Sequence, residues 1–185
     1  MTSPETNELK VVLHGEQGIA VLDPKGESIK RVIPMQFPGQ DPSHSHGHWM
    51  SADDRYMVTP DEFAGTATIY DVTGDKIIEK VKKGHSPIAV GMIPDCYISD
   101  FFDSTISVVN TANGTLTKKI NLLENYEPIS RNIGGPIGFL PIQTSVRPDG
   151  QYLVTANTGG ATITIVDTET DELIKDYHAV RDVTE

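Results

Sequence analysis

A hairpin written three times along 185 residues predicts an all-β chain of propeller blades, and two further regularities support that fold. The hairpin is clearest in Tyr152–Asp167, YLVTANTGGATITIVD, where apolar and polar residues alternate on either side of a Gly159-Gly160 turn. It returns as Tyr56–Asp71, YMVTPDEFAGTATIYD, and as Tyr97–Asn110, YISDFFDSTISVVN. The second regularity is turn chemistry in phase. Ala52-Asp53-Asp54, Pro94-Asp95 and Pro148-Asp149-Gly150 precede the three hairpins, and Asp71, Asn110 and Asp167 close them with side-chain oxygens suited to turn amides. The third is that an amphipathic strand follows each hairpin: KIIEKV, LTKKIN and LIKDYH. A β-sandwich accounts for the alternation but not for turns that recur in phase.

Taken in order, Leu9–Leu13, Gly18–Leu22 and Ser28–Ile33 read as three strands parted by Gly- and Pro-containing turns. A Pro, Gly and Gln loop over 34–43 leads to a four-strand period. The units expected are 9–35, 44–83, 85–123 and 138–180, about four four-stranded antiparallel blades of one partial propeller domain, 1–185. The first blade lacks its innermost strand. Matched on their tyrosines, the units are 41 and then 55 residues apart, and the excess is placed in an insertion loop at 124–138. Val154, Ile163, Ile165, Ile69, Ile106 and Val108 are the expected members of the apolar layers.

With 37% hydrophobic residues the chain holds enough apolar surface for a packed core. Its formal net charge of −11 repels phosphate backbones and anionic lipid, so no nucleic-acid partner is expected. There is no apolar run long enough for a membrane span. The start, MTSPETNELK, carries no apolar leader core, so the chain is read as cytoplasmic or as exported with its leader removed. The single cysteine, Cys96, excludes an internal disulfide and reads as a small buried apolar group.

The constellation with chemical character is His44-Ser45-His46-Gly47-His48. On extended backbone these imidazoles, at i, i+2 and i+4, face one way. Aligned on the Ala52-Asp53, Pro94-Asp95 and Pro148-Asp149 turns that follow, His46 shares its place with Ile88 and Ile142, and His48 with Val90 and Thr144, on the innermost strands that line a propeller's channel. His85 stands at the entrance to the next inner strand. His44, His46, His48 and His85 are therefore the candidate metal ligands, and imidazole suits copper, zinc and nickel. The alternative is a solvated His-rich loop. His14 and His178 read as isolated surface or packing residues. Asp53, Asp54, Asp61 and Glu62 lack the ligand spacing of a calcium loop. No nucleophile signature is present, so no catalytic residue is assigned.

The units resemble blades of the YVTN-type propeller family, which is similar to the propellers of nitrous-oxide reductase and of the cytochrome-type nitrite reductase. The residues that carry the resemblance are Tyr152–Asn157, Thr162–Asp167 and Arg147–Gly150, with echoes in Met57–Pro60 and Thr105–Asn110. It implies fold more than function, since such blades serve binding, electron-transfer and catalytic proteins. It makes copper the first metal to try and points to a periplasmic or extracellular respiratory or oxidase system. Family rings of seven or eight blades imply that remaining blades of a longer propeller, or else a second copy, complete this one. The alternatives are an interaction propeller without metal and a piece of a propeller reductase or oxidase. An enzyme of this kind, copper- or haem-dependent, needs further blades or a cofactor domain.

Overall fold

The computed structural model of the chain describes residues 8–15, 18–35, 44–82, 84–124 and 139–178. Among these residues fifteen strands make four antiparallel sheets. The first blade has three strands: β1 (Leu9–Leu13), β2 (Gly18–Leu22) and β3 (Ile29–Pro34). The second is β4 (Trp49–Met50), β5 (Tyr56–Asp61), β6 (Thr66–Asp71) and β7 (Lys76–Lys82). The third is β8 (Pro87–Met92), β9 (Asp95–Asp100), β10 (Thr105–Asn110) and β11 (Leu116–Asn121). The fourth is β12 (Pro141–Val146), β13 (Tyr152–Asn157), β14 (Thr162–Asp167) and β15 (Glu172–His178). Within each sheet every strand pairs with its sequence neighbour, so every sheet is a meander, and among the described residues the first blade has three strands and no inner one, as expected. The expected insertion, but for Glu124, lies outside the described residues.

The turns explain why the meander repeats. Gly65, Ser104 and Ala161 all adopt positive φ one residue before the third strand of their blades, and Asp75, Gly114 and Asp171 do so before the fourth. Left-handed backbone favours Gly, and Asp tolerates it because its short side chain bonds locally. Gly65 has a second reason: a Cβ there would lie 2.8 Å from the Gly84 carbonyl oxygen.

Strand pairing corrects the repeat register in the third blade. Asp61 faces Thr66, Asp100 faces Thr105 and Asn157 faces Thr162, so Asp95, not Tyr97, is the counterpart of Tyr56 and Tyr152. The shorter Pro94-Asp95 turn starts β9 two residues earlier than a match on tyrosines implies. Tyr97 thereby sits where Val58 and Val154 sit, and its hydroxyl donates to Asp171 of the next blade at 2.6 Å.

The core lies between blades. Ile19, Val21 and Ile33 of the first pack on Met57 and Tyr70 of the second. Val58, Ala67, Ile69 and Val81 of the second pack on Val90, Cys96, Ile98 and Val109 of the third. Tyr97, Ile106, Val108 and Ile120 of the third pack on Leu153 and Val166 of the fourth. Each blade thus presents one face to its predecessor and the other to its successor. Ile69, Ile106 and Val108 are fully buried as expected, whereas Val154 and Ile165 are half-buried and Ile163 is exposed. Their register is that of core residues, but the described residues include no fifth blade to cover them.

A polar ladder runs through the same faces. Asp61, wholly buried, accepts hydrogen bonds from Thr68 (2.7 Å), Thr66 (2.9 Å) and Ser45 (3.0 Å). Asp100 accepts from Ser107 (2.6 Å) and Thr105 (3.0 Å). In the fourth blade the Asn157 amide takes that place, bonded to Thr164 (2.7 Å) and Thr162 (3.0 Å). Burying such groups costs free energy unless they are bonded, so the ladder fixes one register per hairpin.

Candidate functional site

Of the predicted ligands, the structure gathers His44 and His46, and it adds His14. The segment before β4 runs antiparallel to the end of β5: the His46 N–H donates to the Pro60 carbonyl (2.9 Å), and the Glu62 N–H donates to the His44 carbonyl (3.1 Å). Ser45, between the two histidines, turns inward to Asp61. His44 and His46 therefore project to the other side, where His14 lies between them, its ring centroid 5.4 Å from that of His44 and 6.3 Å from that of His46. His14 Nε2 is 3.8 Å from Glu62 Oε2, and Ser86 Oγ donates to Glu62 Oε1 at 3.3 Å. Phe63 meets His44 edge-on, with centroids 4.7 Å apart.

The repeat builds this cluster. His14 follows β1 directly and Glu62 follows β5 directly; since Leu13 faces Gly18 as Asp61 faces Thr66, the two hold equivalent places on neighbouring blades. His44, at φ 47°, shares its place and its left-handed turn with Ser86 (57°) and Leu140 (50°). The turn at His44 is thus repeat architecture rather than local strain. What distinguishes it is that three imidazoles and a carboxylate meet on one rim, at the junction of the first two blades.

His48 is not among them. Ser45, Pro87 and Pro141 oppose Asp61, Asp100 and Asn157, and the inner strands then slip by one residue, as the bulges between Pro87 and Ala89 and between Pro141 and Gln143 record. The slip breaks the two-residue alternation that would have aligned His48 with His46. His48 instead takes the buried place of Val90 and Thr144, and its Nε2 is buried without a hydrogen-bond partner. Burial pushes its pKa down to about 4, with the Lys10 ammonium adding to the shift. The side of Trp49 lies against Gly47, where a Cβ would come within 2.8 Å of the indole.

His85 also stands apart. Its side chain is 85% exposed, and Nδ1 pairs with Asp103 Oδ1 at 2.8 Å while its N–H donates to the other carboxylate oxygen at 3.0 Å. Among the described residues no group of three or more His, Cys, Asp or Glu side chains is placed so that it could hold a metal ion. His44 Nδ1, beside His14, is buried with no hydrogen-bond partner, a polar atom left without use by the fold. His14 and Glu62 are legible only by counting one residue past the second strand of the second blade and past its equivalent, β1, in the first, a position with no motif of its own.

No known sequence family and no curated protein matches the chain. Solved structures do. Virginiamycin B lyase from Staphylococcus aureus matches with a TM-score of 0.71 at 15% identity, over 96% of this chain and 53% of that one. A catalytically inactive variant of the lyase with quinupristin gives 0.68 at 16%, over 92% and 51%. Kuenenia stuttgartiensis hydrazine synthase gives 0.62 at 19%, over 76% and 38%. The chain therefore spans about half the length of the lyase chains and 38% of the hydrazine synthase chain. Identities this low speak to fold alone. With three four-stranded meanders and one of three strands packed face to face, and with β-propeller proteins as its structural neighbours, the chain is a run of β-propeller blades.

Proposed function

We propose that this chain is a β-propeller binding module that holds a first-row transition-metal ion, copper first, at the rim between its first and second blades. The observation that carries the reading is the convergence of His14, His44 and His46, from two different blades, beside Glu62. Imidazole nitrogen with one carboxylate is a donor set for copper, zinc or nickel rather than for calcium or magnesium. The YVTN-type resemblance supports copper within that set and a periplasmic or extracellular respiratory or oxidase setting. His48 and His85 are not ligands in this reading.

A second reading, an interaction propeller without metal, draws support from Phe63 and Phe102, large apolar side chains exposed 70% and 65%. Calorimetric titration of the purified chain with Cu²⁺ and Zn²⁺ separates the two. One ion per chain, lost when His14, His44 and His46 are replaced by Ala together, is the expected result. Binding that survives His14→Ala unchanged reduces the site to a His-rich loop, and no binding leaves the interaction reading.

A further inference from the structure

The chain shows three times over what covers the successor-facing side of a blade. In the second blade that side is Val58, Ala67, Ile69 and Val81, and in the third it is Tyr97, Ile106, Val108 and Ile120; all are buried under the next blade's predecessor-facing side. Pairing places Val154, Ile163, Ile165 and Tyr177 at the same positions of the fourth blade. There Ile163 is 37% and Tyr177 45% exposed, and a cavity of about 510 Å³ opens beside Tyr152, Val154, Ile165 and Ile174.

The other end of the arc is its complement. On the first blade the predecessor-facing side holds Leu13, Ala20 and Val32 where the second blade has Asp61, Thr68 and Lys80 of the polar ladder. Val11 and Val32 on it are 46% and 49% exposed. An apolar surface has replaced a polar one at the one blade whose predecessor is not among the described residues. Exposed apolar sheet faces of this kind mark interaction surfaces.

We infer that a second copy of this chain covers both faces, the fourth blade of each copy packing head to tail on the first blade of the other, in the manner of the three interfaces already inside the chain. Two such contacts close a two-fold ring, each setting the exposed apolar face at one end of a copy against the exposed apolar face at the opposite end of the other. The contact is heterologous, one surface meeting a different one, so it closes only if the rotation between copies allows it.

Size-exclusion chromatography with light scattering, over a range of concentration, tests this. The expected species has twice the 20.2 kDa of the chain. Ile165→Lys and Val11→Lys, each at an exposed or half-exposed position, are both expected to give monomers with an unchanged circular dichroism spectrum. Mixed in equal amounts they are expected to restore a dimer, because each retains the face that the other has lost. A monomeric parent chain at every concentration overturns the inference and leaves further blades on another chain as the occupant. A dimer indifferent to both substitutions, or two variants that do not complement, overturns it too, and a ladder of larger oligomers overturns the closed ring.

Discussion

Asp61 and Lys80 are a buried ion pair, Oδ2 to Nζ 3.5 Å, inside a single blade, with the carboxylate side chain wholly buried and the ammonium side chain 6% exposed. Burial raises the Asp61 pKa, and the Thr68 hydroxyl and the Lys80 charge draw it back. The fourth blade replaces the pair with Asn157 and with Asp176, which accepts from Thr164. The charge is therefore dispensable to the fold provided both partners change. Asp61→Asn alone leaves Lys80 as an uncompensated buried charge and is expected to cost about 3 to 5 kcal/mol, most of it recovered by adding Lys80→Met. Urea unfolding of the two variants checks this; equal midpoints contradict the pairing.

His48 sets the expected acid response. The unfolded chain takes up a proton on this imidazole near its ordinary pKa of 6.5, the folded chain only at about 4. Between those values acid favours the unfolded chain, so stability is full above 6.5 and falls as pH drops towards 4, by no more than about 3 kcal/mol. Asp61, with a raised pKa, works in the opposite sense. Thermal unfolding of the parent and of His48→Val, which installs the residue of Val90, is expected to show a shallower loss for the variant across this window. Parallel curves refute the assignment.

The strands and turns were legible because binary alternation and Asp, Gly and Pro turns are local signals, and β13, β14 and β10 end where the alternation does. The register of β9 was misread because two tyrosines made a better-looking match than Asp61 with Asp100, whose equivalence appears only when the hydroxyls of Thr66, Thr68, Thr105 and Ser107 are seen to point at them. At the site, His44 and His46 could be picked out from sequence, but the inner-strand slip that removes His48 leaves no mark in composition. His14 was passed over because its partners belong to another blade, and inter-blade contacts have no sequence period.

The metal reading makes an uneven prediction across the six histidines. His14→Ala is expected to weaken Cu²⁺ binding by at least about tenfold, as is His44→Ala, since each removes a nitrogen ligand from a small set. His85→Ala, which breaks only the contact with Asp103, is expected to leave affinity unchanged. Titrations of the three variants check the pattern, and an effect of His85 equal to that of His14 rules it out.

Ile69 and Ile165 occupy the same place in the second and fourth blades, each paired with a residue of the blade's second strand, Val58 or Val154. Ile69 is fully enclosed by the third blade, so Ile69→Ala removes buried methylenes and leaves a cavity, a loss of about 2 to 5 kcal/mol. Ile165 lies half-buried on the open face, where water already reaches part of the side chain and collapse around the smaller residue is easy. Ile165→Ala is therefore expected to cost only about 1 to 2 kcal/mol in dilute chain. If a second copy covers that face, the cost of Ile165→Ala rises with protein concentration while that of Ile69→Ala does not, because only the former touches a contact governed by mass action. Chemical denaturation at two concentrations a hundredfold apart measures both. Equal costs for the two variants in dilute chain would mean that the fourth blade is already as enclosed as the second.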